Sequence, residues 1–251
     1  MTSAAASAVA PPGDELRLEA VVAGYIPGHP VLRGVDLRAS PGRLTVVLGP
    51  NGAGKSTALK VLAGFLPPGS GRILLGDADI TRLPAHRHLE RGIALLPQGR
   101  STFPELTVGE NLELGGWLWR GDRARLRRGV EAVLTRYPVL AELRRKPAGS
   151  LSGGQQRTLE IARLLVTGPK TLLIDEPSAG LSPILASEVY RELAALKSEG
   201  RTILLVDQDV RAAIAIADYV YVLNSGRNDI EGDRSAFEGD LGAMVRGWLG
   251  V

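Results

Sequence analysis

Three short stretches of this chain hold residue types that could do chemistry together. The first is Gly49-Pro50-Asn51-Gly52-Ala53-Gly54-Lys55-Ser56-Thr57, which fits G-x-x-x-x-G-K-[ST]. Glycines at these spacings let backbone amides approach an anion without a Cβ in the way, and a following helix N-terminus adds further donors. Lys55 supplies a point charge for the β- and γ-phosphates, and the Ser56 hydroxyl is a ligand for Mg²⁺. The second stretch is Asp175-Glu176, two carboxylates that follow the apolar run Thr171-Leu-Leu-Ile174. Asp175 can reach a metal shell, and Glu176 can polarise a water in line with a γ-phosphate. The third is Ser152-Gly153-Gly154-Gln155, ahead of a good helical sequence. Ser152 with Gln155 satisfies a capping box by itself. The paired glycines are left over, since each costs helix stability by up to ~1 kcal/mol relative to Ala. They expose amides and predict a second phosphate-seeking helix end in the same chain.

These residues need strand ends and helix starts to hold them. Leu44-Thr-Val-Val-Leu48 before the first stretch reads as a buried strand, and Ala58 to Ala63 after it as a helix. Leu16 to Val22 alternates like a half-exposed strand with an antiparallel partner over Val31 to Arg38. Further strands are expected at Arg72–Leu75, Gly92–Leu96, Thr171–Ile174, Thr202–Val206, Asp218–Leu223 and Asn228–Glu231. A short helix is expected to end the chain. Between about Thr107 and Ser150 the pattern is helical, opened by the capping box Thr107-x-x-Glu110. Ser182-Pro183 starts another helix, running to about Ser198. Strands alternating with helices predict an α/β fold with a mainly parallel sheet covered on both faces.

Composition agrees. The chain has 251 residues, 44% hydrophobic but only 4% aromatic, which suits a core of Leu, Val, Ile and Ala. It has no cysteine, so disulfides and thiolate metal sites are excluded. A net charge of +3 is a weak field over this length, and a nucleic-acid partner is not expected. The one concentrated basic patch, Arg120, Arg123, Arg125, Arg127 and Arg128, reads as a solvated helix face. His29, His86 and His88 read as surface residues. Residues 1–13 are small-residue rich without a basic lead or Leu-rich core, and read as a disordered tail, not a signal peptide. No run approaches the ~18–20 apolar residues a bilayer span requires.

In their order along the chain, Tyr25, the phosphate loop, Gln98, Leu151 to Gln155 and Asp175-Glu176 resemble the ATP-binding subunits of ABC transporters. The resemblance covers residues 15 to about 250. It implies a P-loop NTPase, with a RecA-like core and an antiparallel β part over 14–98 and 151–251, and an inserted all-helical subdomain over 99–150. It implies ATP and Mg²⁺ as cofactors, with Tyr25 stacked on adenine and Gln98 touching Mg²⁺ and the lytic water. Two such chains would pack head to tail, each ATP lying between the phosphate loop of one and the Ser152 turn of the other. The second ATPase subunit would be a copy of this chain or a paralogue. Separate membrane-spanning subunits and, indirectly, a solute-binding protein would complete an importer, with this chain peripheral on the cytoplasmic face.

Two departures narrow the resemblance. Most members carry a histidine where this chain has Gln208, which can donate to phosphate but carries no charge. Ser182 replaces the usual aspartate of the inter-subunit loop. Both, with Pro97 to Pro104 and the ending Val245-Arg-Gly-Trp-Leu-Gly250, resemble subunits of branched-chain amino acid importers. Importers of urea and short amides share these features. The competing expectation is a soluble ATPase of the same family in translation, DNA repair or cofactor assembly.

Overall fold

The computed structural model describes residues 13–237. The expected C-terminal helix and all but the last residue of the tail lie outside them; Gly13 itself is buried.

Among the described residues ten strands form two sheets. The first, ordered β2-β1-β4-β5, is antiparallel and comprises β1 (Leu16–Ala23), β2 (Leu32–Ala39), β4 (Ser70–Leu75) and the two-residue β5 (Ala78–Asp79). The second is ordered β10-β9-β3-β8-β7-β6: β3 (Leu44–Leu48), β6 (Ile93–Leu96), β7 (Thr171–Asp175), β8 (Thr202–Val206), β9 (Tyr219–Asn224) and β10 (Arg227–Asp233). All its pairings are parallel except β9–β10 at the edge. Every residue of β3, β7 and β8 is buried, as strands covered on both faces must be.

Alternation along these strands sends side chains into two cores. Leu44, Val46 and Leu48 of β3 join Leu172 and Ile174 of β7 and Ile203 and Leu205 of β8 on one face. They pack against α6 (Gly153–Leu165), α7 (Pro183–Ser198) and α8 (Val210–Ile216). On the other face Val47, Leu173, Leu204 and Val206 meet α1 (Lys55–Leu62) and the antiparallel sheet. Each large apolar side chain so withdrawn from water contributes about 1.5–3 kcal/mol.

Between β6 and α6 the described residues hold α3 (Val108–Gly115), α4 (Arg123–Arg136) and α5 (Pro138–Glu142), with short 3₁₀ turns and one isolated bridge, Thr107 to Pro147. Leu112, Val130, Val133 and Leu140 bury against Leu159 and Ala162 of α6, so these helices extend the first core. The expected capping box is formed: Thr107 accepts from the Glu110 amide and the Glu110 carboxylate accepts from Thr107 N–H.

One expectation fails. His29 and His86 are exposed, but His88, on α2 (Ala85–Glu90), is fully buried. Its Nδ1 lies 2.9 Å from the Leu62 carbonyl and must carry the proton, fastening α2 to the far end of α1. Burial pushes its pKa below the ordinary imidazole value. The sequence disguised it because A-H-R-H-L-E offers a single apolar anchor and α2 has no side-chain cap.

The β9–β10 turn joins the two sheets. Ser225 and Gly226 both have positive φ, 49° and 78°, as a two-residue hairpin requires. Gly226 N–H donates to Ala53 O at 3.1 Å and Gly226 O accepts from Arg33 N–H at 2.8 Å. A Cβ at Gly226 would lie 1.9 Å from Val31 O, so only glycine fits.

Candidate nucleotide site

The phosphate loop runs from the buried end of β3 into α1. Gly49 has φ 142°, and a Cβ there would stand 2.1 Å from Leu223 O, so the turn closes only with glycine. Gly54 is the N-cap of α1, and no side chain caps this helix. Among the described residues the amides of Lys55, Ser56 and Thr57 reach no protein acceptor. Orphan donors at a helix start, with the positive end of its dipole, form an anion site. Lys55 is buried, its Nζ donating to Gly49 O at 2.7 Å and Pro50 O at 3.0 Å. Burial holds its pKa below the usual lysine value, while the charges of Glu176 and Asp175 oppose the shift. Pro50, Asn51, Gly52 and Ala53 complete the loop, with Ala53 packed in the second core.

The two carboxylates have different partners. Asp175, the last residue of β7, accepts from Ser56 Oγ at 3.0 Å. Burial pushes its pKa up, the Ser56 hydrogen bond opposes this, and the Glu176 charge adds to it. A hydroxyl and a buried carboxylate at this spacing are hard oxygen donors of the kind that suit Mg²⁺. Glu176, one residue on, sits at φ 46°, a left-handed geometry costing about 1–3 kcal/mol for a residue with a side chain. Gln98 Nε2 donates to its Oε2 at 2.7 Å, and Gln208 Nε2 donates to Oε1 and Oε2 at 2.9 Å each. Two glutamines from the ends of β6 and β8 thus converge on one carboxylate.

Tyr25, in the β1–β2 loop, is 55% exposed beside α1. Its hydroxyl lies 3.3 Å from Thr57 Oγ1 and accepts from Lys60 at 3.3 Å, and the Lys60 ammonium also stands over the ring, 5.3 Å from its centroid.

The Ser152 turn behaves differently. Ser152 caps α6 by accepting from the Gln155 amide, and Gln155 Oε1 accepts from Ser152 N–H at 3.0 Å. Among the described residues it shares no hydrogen bond with the phosphate loop. Its glycines also differ. A Cβ on Gly154 would meet the Leu185 side chain at 2.7 Å, whereas one on Gly153 would meet nothing within 4 Å. Internal packing accounts for the first glycine and not the second.

Sequence reading missed Asp207, which is 3% exposed and accepts from Ser178 Oγ at 2.9 and 3.0 Å and from the Gln208 amide at 2.7 Å. The available signal was an acid directly after the β8 apolar run, masked by attention to Gln208.

The ABC transporter family model matches residues 32–179. The chain belongs to this family. This cassette is 39% identical over 196 residues to the branched-chain amino acid transport ATP-binding protein BraG of Pseudomonas aeruginosa, covering 78% of this chain and 83% of that one. It is 39% identical over 213 residues to a probable protein of the same kind, LivF, from Archaeoglobus fulgidus, covering 84% and 89%. The lipopolysaccharide export ATP-binding protein LptB of Escherichia coli K12 is 36% identical over 199 residues, covering 79% and 83%. Among solved structures, a nucleotide-free ATP-binding cassette from an ABC transporter superposes with TM-score 0.78 at 29% identity, covering 95% and 96%. A dimeric cassette in a post-hydrolysis state with ADP and phosphate gives TM-score 0.76 at 25% identity, covering 87% and 98%. The chain is an ATP-binding cassette ATPase with a P-loop NTPase fold.

Proposed function

We propose that this ATPase powers an importer of branched-chain or related amino acids through separate membrane-spanning subunits. The observation that carries the catalytic half of this reading is the Glu176 carboxylate, held by Gln98 and Gln208 beside the Ser56–Asp175 pair. Phosphates would lie along residues 49–57 with Lys55 balancing their charge, and adenine would stack on Tyr25. Ser56, Asp175 and Gln98 would hold Mg²⁺, which supplies charge neutralisation on the phosphates when bound. Glu176 polarises the attacking water as general base, a role that typically contributes 10²–10⁴-fold. Gln208 steers without charge, so no histidine-like inflection near pH 6.5 is expected in turnover.

Ser152, Gly153, Gly154 and Gln155 would close the site of a second ATPase subunit, a copy or a paralogue, because Gly153 faces open space within its own chain. Among the described residues no helix is long and apolar enough to cross a membrane, and docking at the cytoplasmic face would use membrane-spanning partners, with Gln98 to Glu110 and the helical insertion as the contact surface. Similarity to BraG and LivF supports amino-acid import.

Reconstitution in proteoliposomes with its membrane-spanning and solute-binding partners tests this. ATP-dependent accumulation of labelled leucine is expected. Accumulation of urea alone would move the substrate, and extraction of lipopolysaccharide would replace import by the export that similarity to LptB favours. Purification with ribosomes or DNA instead of a membrane complex would overturn the reading.

A further inference from the structure

We propose that Asp207 is a positioning residue for ATP hydrolysis, holding the strained turn that presents Glu176. The inference rests on the reading of Glu176 as the base. A left-handed glutamate persists only where its surroundings over-determine it, and the chain is pinned on both sides of this residue. Before the side chain, Glu176 N–H donates to Val206 O at 2.8 Å. After it, Ser178 Oγ donates to both oxygens of Asp207, at 2.9 and 3.0 Å. Both pins are anchored on consecutive residues at the end of β8.

The same carboxylate orders the other side of the clamp. Asp207 Oδ1 accepts from the amides of Gln208 at 2.7 Å and Asp209 at 3.2 Å, setting the direction from which the Gln208 side chain reaches Glu176. An aspartate that merely caps its own turn would stop at those two local bonds. The bond to Ser178 spans 29 residues of sequence and joins two catalytic loops. Tyr190 of α7 completes the chain: its hydroxyl donates to Ser178 Oγ at 3.2 Å, and both Tyr190 and Asp207 are over nine-tenths buried. The helix that follows the loop through Ser182 is therefore tied to the orientation of Glu176. Among the described residues no hydrogen bond joins Asp207 to Glu176 or to the phosphate loop, so its action is indirect.

The test compares Asp207→Ala, Asp207→Asn, Ser178→Ala and Glu176→Gln in the full chain, purified with its partner ATPase. Steady-state hydrolysis, affinity for a fluorescent ATP analogue and melting temperature are read together. Asp207→Ala should lower kcat roughly tenfold to a hundredfold, the scale of a misplaced catalytic group. ATP affinity should stay within about twofold, since only positioning for the transition state is lost. Asp207→Asn keeps an acceptor oxygen and should recover most of kcat. Ser178→Ala should reproduce the loss without adding to it in the double variant. A folded Asp207→Ala with unchanged kcat, or a loss that Asn does not recover, would sink the proposal while Glu176→Gln remained inactive. Normal turnover by Glu176→Gln would instead remove the base assignment itself.

Discussion

α1 starts behind a glycine with no side-chain cap, whereas α6 starts with both bonds of a capping box made. Both ends present first-turn amides that reach no backbone acceptor among the described residues, beside a glycine that is buried at α1 and exposed at α6. At α1 the loop, a buried lysine and a hydroxyl paired with Asp175 all come from one chain. At α6 the first turn carries no charge, the serine is committed to Gln155, and the remaining glycine faces outward. One terminus gathers the donors of a site within its own chain; the other, under the proposed function, would wall the site of a second subunit. A capped helix end still attracts an anion through its dipole, worth about 0.3–1 kcal/mol, too little to bind a triphosphate unaided.

That contrast can be broken in graded ways. The largest effect should come from Glu176→Gln, which removes the base and should cut hydrolysis by about 10²–10⁴. ATP should then accumulate with two subunits joined across α1 and α6, visible as a dimer peak in size-exclusion chromatography. A strictly monomeric ATP-loaded variant, with every plausible mate present, would mean that α6 closes nothing. Next, Lys55→Ala removes a charge-assisted contact of about 1.5–3 kcal/mol and should weaken ATP binding at least tenfold in calorimetry. Retained affinity would show that the orphan amides of α1 suffice.

The glycines sharpen the comparison further. Gly49→Ala must push a methyl into Leu223 O and should disrupt the fold or the loop. Gly153→Ala meets no atom, and should raise thermal stability by up to ~1 kcal/mol through helix propensity while hydrolysis falls. Unchanged hydrolysis in a stabilised Gly153→Ala protein would return that glycine to a purely local role. The smallest effect concerns His88, at the opposite end of α1. Its folded pKa is depressed, so the neutral ring stabilises the fold above the unfolded value near 6.5 and that contribution is lost as pH falls below it. Denaturant titrations between pH 7.5 and 5 should show the decline, and His88→Gln should flatten it.

Much of this was legible in the sequence because its signals are short and local. The phosphate loop lies between an apolar strand and a helix, and the Thr107–Glu110 and Ser152–Gln155 boxes need only four residues each. β3, β7 and β8 announced themselves as short runs of apolar and β-branched residues. What escaped was non-local or very small. Asp207 gains meaning only beside Ser178, and Asn111 only beside Phe103, whose amide it accepts at 2.9 Å. The six-residue α2 and the two-residue β5 are too short for a period to show. His88 looked polar by type and is buried by position, a distinction that composition does not carry.

The hairpin tip at Gly226 has a mechanical consequence. Because it bonds to Ala53 on one side and Arg33 on the other, it ties the anion-gripping loop to β2 of the antiparallel sheet. The strip after Gln98 is held at first by side chains, with Ser101 N–H on Glu160 at 2.6 Å and Phe103 on Asn111, and only from Pro104 onward by backbone bonds from Gly149 and Ala148. Under the proposed function, where hydrolysis must become movement, the swivel would belong to that strip and the helices it leads into, while the gripping half would stay still.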